Sequence, residues 1–360
     1  MYKKFFMGIA AIAALTLVSC SSDDLNSLSD NSSKNEAISF DGYLGRSAVA
    51  VNGTRGSVLD INALQGLSEG FGVFGNYNST GGQNFGSNLF NNEKVTYSSK
   101  ESKWEYSPLK YWPAQGHIDF LAYAPYNAGT FEKTYHLKFN VSETITEQKD
   151  LLYAKADGQT MANNSGTNKV TFKFNHALSR LGYSVKLKGT CSSDATITLK
   201  KITLAGSAPE PTTGTTTEPT GAFHKTGTID LSTGNWTPAS DKQPFKWFSA
   251  ETPGSQSITF TSTSNKTYTN TDKEYLFVIP QNFSQDGNTL YVIVEYTIQY
   301  TGVTETITNT VHKKLTQDFK QGKAYTINLT IGRPIEFDAD VTPWVDENNK
   351  NTDINIDSWD

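Results

Sequence analysis

The sequence predicts an all-β protein of antiparallel sandwiches, and three of its features lead there. From Ile38 onward apolar residues recur at every second position in short runs, the runs are rich in Thr, Val, Tyr and Phe, and clusters of Gly, Asn, Ser and Pro separate them. Convincing amphipathic helices are lacking; Val58 to Leu67 is a short candidate. Many short strands with turn signals between them and little helix are the pattern of sandwich architectures.

Taken in order, the chain opens with Lys3 and Lys4, an apolar run from Phe5 to Val18, and Leu17-Val18-Ser19-Cys20. The run is shorter than the ~20 residues a membrane-spanning helix needs, and a small residue followed by cysteine reads as a lipoprotein processing site. Residues 1–19 are therefore expected to be a lipoprotein signal peptide, with Cys20 as the acylated anchor. Two acyl chains suffice for stable membrane attachment, at about 0.8 kcal/mol per buried CH₂. Residues 20–36, rich in Ser, Asn and Asp, hold too little apolar surface to offset the entropy of ordering and read as a flexible tether.

The first strand is expected at Ile38 and Phe40, which alternate with Ser39 and Asp41, and Tyr43 is read as continuing the apolar face. Gly70-Phe71-Gly72-Val73-Phe74-Gly75 formally matches a dinucleotide fingerprint. A pyrophosphate site needs a helix N-terminus directly after the glycines, whereas Asn76 to Gly82 is loop-like, so the segment reads as a strand whose glycines let backbones pack closely. Trp104, Tyr106, Tyr111 and Trp112 form an aromatic cluster that is expected either to fill a core or to stack sugars. At roughly 100–200 residues per domain, two domains are expected, residues 37–165 and 166–360, divided at the polar stretch 158–168.

In the second half, one apolar face runs through Val170, Phe172 and Phe174, then through Leu181, Tyr183, Val185 and Leu187. Others run through Val292, Val294, Tyr296, Ile298 and Tyr300, and through Tyr325, Ile327, Leu329 and Ile331. Such alternation belongs to sheets with one face in the core and one in water. The phase slips by one residue between Leu199 and Ile202, which predicts a bulge or turn. Residues 206–221, rich in Pro, Thr and Gly, are expected to be a long exposed loop. Near the end Ile335, Phe337, Ala339 and Val341 alternate with Glu336, Asp338 and Asp340, and the tail after Trp344 is polar, with Ile354, Ile356 and Trp359 as its apolar residues.

Composition narrows the chemistry. The formal charge is −5, and loss of residues 1–19 takes Lys3 and Lys4 but no acid, leaving −7. Arg46, Arg55, Arg180 and Arg333 are the only arginines, so the basic footprint of a nucleic-acid binder is missing and no nucleic-acid partner is expected. With Cys20 acylated, Cys191 stands alone, which excludes an intramolecular disulfide and a cysteine-rich metal site. His117, His136, His176, His224 and His312 show no metal-ligand spacing, and no nucleophile elbow occurs. No catalytic residue, metal site or cofactor is assigned.

Read together, ISFDGYL (38–44), EGFGVFGNY (69–77), KYWPAQGHIDFLAYAP (110–125), VTFKFNHALSRLGYSV (170–185), GAFHKTGTIDLSTGNW (221–236), EYLFVIPQNF (274–283) and FKQGKAYTINLTI (319–331) resemble, in order, the fimbrillin family of the Bacteroidales. The resemblance implies two tandem transthyretin-like antiparallel β-sandwiches and a fimbrial structural or adhesive subunit that is not an enzyme. It implies export as a lipoprotein to the outer face of the outer membrane, with Ser22, Asp23 and Asp24 resembling the family's surface-export signal. It further implies proteolysis behind the first strand, for which Arg46 and Arg55 are the candidates and Arg55 the better match. The displaced strand carrying Ile38 and Phe40 would then be replaced by a strand of another subunit, the expected partner, besides a host or bacterial surface ligand. The alternative is a surface glycan-binding lipoprotein of a polysaccharide-uptake system, with Trp104 and Trp112 as its stacking residues.

Overall fold

The computed structural model describes residues 37–44, 59, 61–79, 89–164, 169–187, 195–208, 218–252, 255, 257–261, 267–271, 274–285 and 287–331, and the backbone of 337–343. Cys20, Ser22, Asp23, Asp24, Arg46, Arg55, Cys191 and the polar tail lie outside them.

Among the described residues sheets account for nearly all the regular structure, with one short α-helix, α1 (Ile61–Gly66), inside the stretch where the sequence suggested one. The first sheet has seven strands in the order β1 (Ser39–Leu44), β9 (Lys169–His176), β8 (Leu152–Gln159), β5 (His117–Ala124), β2 (Phe71–Asn78), β3 (Phe90–Ser98) and β4 (Lys103–Glu105). A second, antiparallel sheet runs β14 (Trp236–Pro238), β13 (Thr226–Asp230), β7 (His136–Asn140) and β6 (Thr130–Lys133). Two further sheets face the larger core. One runs β18 (Tyr268–Thr269), β10 (Ser179–Leu187), β22 (Ala324–Ile331) and β23 (Phe337–Pro343), with β19 (Leu276–Val278) also on β10. The other runs β16 (Phe245–Ser249), β11 (Ala195–Ala205), β20 (Leu290–Tyr300) and β21 (Thr306–Leu315), with β17 (Ile258–Phe260) also on β11. β12 (Phe223–His224) and β15 (Lys242–Gln243) make a two-stranded ribbon.

Among the described residues pairing is antiparallel with two exceptions: β1 lies parallel to β9, and β10 parallel to β22. The expectation of purely antiparallel sheets is corrected on this point. Antiparallel neighbours follow from tight hairpins, but these strands are separated by long stretches of chain, so no turn dictates their direction. The slip foreseen between Leu199 and Ile202 is a bulge: Leu199 pairs with Tyr296 and Lys201 with Glu295, leaving Lys200 unpaired on that side. The Lys200 carbonyl instead accepts the Ala250 N–H at 2.9 Å.

Buried apolar residues form two clusters. The first gathers Ile38, Phe40, Phe71, Phe90, Trp104, Trp112, Phe120, Phe172 and Phe174 among others; the second takes most core residues from Ala177 onward, with Phe74, Leu121, Tyr123, Tyr135, Leu137, Phe139, Val141 and Leu151 from earlier in the chain. β5 is therefore buried on both faces, Phe120 and Ala122 toward one cluster and Leu121 and Tyr123 toward the other. β9 opens after the polar stretch at 158–168 yet shares a sheet with β8 and packs in the first cluster; the changeover along the chain comes between Phe174 and Ala177. Buried amides tie early chain to late: Gln148 Oε1 accepts the Phe277 N–H at 2.7 Å, and the Gln243 amide donates to the Val141 carbonyl at 2.9 Å. The base of the loop expected at 206–221 is closed by the Gly206 N–H bonding the Thr220 carbonyl at 2.8 Å.

The glycine-rich match at 70–75 is a strand. A Cβ on Gly72 would lie 2.8 Å from Asn92 Oδ1 and against the Tyr123 ring, and one on Gly75 would lie 2.7 Å from Phe90. Both glycines are where neighbouring rings sit on the backbone, with no space for a phosphate.

Candidate strand-exchange site

β1 stands at the end of the first sheet, and among the described residues its ladder partner is β9, with rungs from Ser39–Lys169 to Leu44–Phe174. Its beginning is fixed on the other side by the chain at 106–111: Ala37 bridges Tyr111, the Ile38 N–H donates to the Lys110 carbonyl at 2.8 Å, and the Tyr106 hydroxyl donates to the Ile38 carbonyl at 2.7 Å. Lys110 is held in turn by Glu93 at 3.0 Å and by the Leu89 carbonyl at 2.6 Å.

The inward face reads Ile38, Phe40, Gly42 and Leu44. Ile38 and Phe40 are 1% and 3% exposed. Phe40 is surrounded by aromatic rings, with centroids at 5.4 Å to Phe90 and Tyr106, 5.6 Å to Phe172, 5.7 Å to Phe120 and 6.5 Å to Phe71. Gly42 belongs to this face because a Cβ there would come 3.1 Å from the Phe174 ring. Tyr43 does not continue the face; it is 48% exposed, on the outward side with Ser39 and Asp41. Side chains in a strand alternate, so the residue after Gly42 must point away, and Leu44 takes the inward place, packed against the cluster.

Beyond Leu44 comes the segment that carries Arg46 and Arg55. Both of its flanks are anchored near the end of β9. Leu44 pairs with Phe174, and the Leu59 N–H donates at 3.0 Å to Asp150 Oδ2, which also bonds His176 Nδ1 at 2.8 Å. Asp150 is 3% exposed. Burial opposes charging of His176, but the charge and hydrogen bond of Asp150 outweigh it, with Arg180 pulling the other way, and the imidazole pKa ends above its ordinary value. Asp150 and His176 escaped the sequence reading because twenty-six positions separate them and no local spacing marks a buried ion pair.

The aromatic cluster expected at 104–112 is core. Trp104 and Trp112 are 6% and 7% exposed, with Trp104 4.8 Å from the Phe71 ring and 5.1 Å from Tyr97. Stacking on a sugar needs an open ring face, so the glycan site proposed on these tryptophans is overturned; Tyr111, at 47% exposure, is the open member.

Fimbrium subunit Fim1C of Phocaeicola vulgatus is 27% identical over 393 residues, covering 97% of this chain and 98% of that protein. A candidate cell adhesion protein from Bacteroides uniformis has a structure similar over 86% of this chain and 99% of its own, at 16% identity and a TM-score of 0.48. The tip fimbrial protein Mfa3 of Porphyromonas gingivalis aligns over 76% of this chain and 92% of its own, at 10% identity and a TM-score of 0.34. The family model described as fimbrillin-like matches residues 61–344, most of the length, and the chain therefore belongs to the fimbrillin-like family.

Proposed function

We propose that this protein is a structural or adhesive subunit of a fimbrium, without enzymatic activity, that joins neighbouring subunits by strand exchange at the β1 groove. Its membership of the fimbrillin-like family and its full-length similarity to a fimbrium subunit support this reading. The observation that carries it is the character of β1, an edge strand whose ladder among the described residues lies on β9 alone, with only its beginning held by the chain at 106–111, yet one that supplies core residues. An edge strand of that kind can be replaced by another of like pattern without altering the rest of the sheet.

In this reading Cys20 carries the lipid, Ser22, Asp23 and Asp24 direct the protein to the outer face of the outer membrane, and cleavage after Arg46 or Arg55 cuts β1 from the body. As long as the tie is intact, β1 returns to its groove at high effective concentration; after cleavage that advantage is lost. Ile38 and Phe40 together contribute about 3–6 kcal/mol of burial, enough to keep the monomer closed and to reward an incoming strand equally. In this reading the chain forms two transthyretin-like sandwiches, a division that the two buried clusters support, with their changeover between Phe174 and Ala177.

Negative-stain microscopy with immunogold labelling of producing cells tests the proposal. Gold along surface fibres in cells with the gene, lost in cells carrying Arg46→Ala/Arg55→Ala, is the expected outcome. Uniform gold on a fibre-free surface in both strains would overturn it.

A further inference from the structure

A cavity of about 300 Å³ opens beside the end of β9, lined by Tyr153, Phe174, Asn175, His176, Gln321 and Lys323 among others. It lies where the first cluster gives way to the second. Its lining is unusually rich in hydrogen-bond donors. His176 has Nδ1 committed to Asp150, which leaves Nε2 for a ligand. Lys323 adds a cation, whereas the Gln321 amide nitrogen, which has no hydrogen-bond partner, is closed off from the cavity surface. Behind them Asp150 is almost fully buried, and its Oδ1 has no hydrogen-bond partner either. Size narrows the choice. The volume equals about ten waters and sits at the small end of ligand pockets, ~300 Å³, which is room for one ring.

We propose that this cavity binds a sugar acid of the uronate class, its carboxylate held by His176 and Lys323, and its hydroxyls by Tyr153 and Asn175. The proposal rests on the adhesive side of the reading above and supplies its ligand class. A neutral sugar would leave the cationic side of the pocket unmatched, and a bare inorganic anion would leave the phenol and the Asn175 amide idle. The charged groups facing His176 are Asp150 before β8, Arg180 on β10 and Lys323 before β22. Protonated His176 donates to a carboxylate through Nε2, so affinity rises as pH falls.

Calorimetry on the full-length protein in detergent, with D-glucuronate, D-glucose and inorganic phosphate as probes, tests the proposal. Saturable glucuronate binding is expected, with none for glucose, and weaker binding well above the ordinary histidine value of about 6.5 than below it. Lys323→Met, on an exposed residue, should cost roughly tenfold in affinity, the loss of one charge-assisted hydrogen bond, with unchanged melting, and Lys323→Arg should restore it. Absence of glucuronate binding overturns the proposal. So does phosphate binding as tightly as glucuronate, or binding whose affinity Lys323→Met leaves unchanged. Fibre assembly is read by microscopy on cells, so the two readings fail separately.

Discussion

Replacing Phe40 by alanine tests whether β1 is a true part of the core. The ring is 3% exposed and meets five aromatic neighbours within 6.5 Å. Truncation removes the transfer energy and leaves a cavity that stiff rings cannot close, so the loss belongs at about 3–5 kcal/mol. With roughly 2–4 °C per kcal/mol for a domain of this size, melting should fall by about 6–20 °C. Tyr43→Ala in the same strand serves as the control, because a 48% exposed side chain should cost no more than about 0.5 kcal/mol. Differential scanning calorimetry of both variants reads the contrast. Equal losses would refute the assigned strand phase, and a loss below about 1 kcal/mol for Phe40→Ala would refute its burial.

Further outcomes follow from other parts of the molecule. His176 has a raised folded-state pKa, so its contribution to stability is complete below the ordinary value of about 6.5 and declines as pH rises through the folded value. Asp150→Asn should therefore flatten the pH dependence of urea midpoints and cost about 3 kcal/mol at acidic pH, the order expected when a buried pair loses one partner. Gly72→Ala should cost about 1–3 kcal/mol by overpacking, because the new methyl meets Tyr123 and Asn92, whose 2.8 Å hydrogen bond it would disturb; thermal melts check it. Trp104→Ala should lose about 3–5 kcal/mol of stability as a core truncation, while affinity electrophoresis on polysaccharides should show mobility equal to that of the wild type.

Much of the fold was legible where one face of a strand meets water. Val170, Phe172 and Phe174 on β9, and the runs on β20 and β22, alternate in sequence and alternate in burial. The bulge at Lys200 was legible as a slip of phase. β5 was less so: packed between two clusters, HIDFLAYA has no polar face to set against an apolar one. Tyr43 misled because Gly42 has no side chain to mark the inward face, and the eye passes to the next large residue. The parallel pairing of β1 with β9 left no trace, since direction across a distance of some 130 residues is fixed by tertiary packing and not by a turn. The candidate site was half visible. Ile38 and Phe40 stood out by alternation, whereas the Asp150–His176 anchor and the cavity beside it arise only when β9, the chain before β8 and the turn before β22 come together.

The central claim is that β1 is a displaceable strand whose release permits assembly. The direct measurement is gel electrophoresis in SDS, without boiling, of protein lacking residues 1–20 after limited trypsin digestion, beside Arg46→Ala/Arg55→Ala protein treated alike. The account predicts first cleavage between Leu44 and Leu59, followed by an SDS-resistant ladder in the cleaved sample alone. A cleaved product that stays monomeric at high concentration, with its β-rich circular dichroism intact, would contradict it.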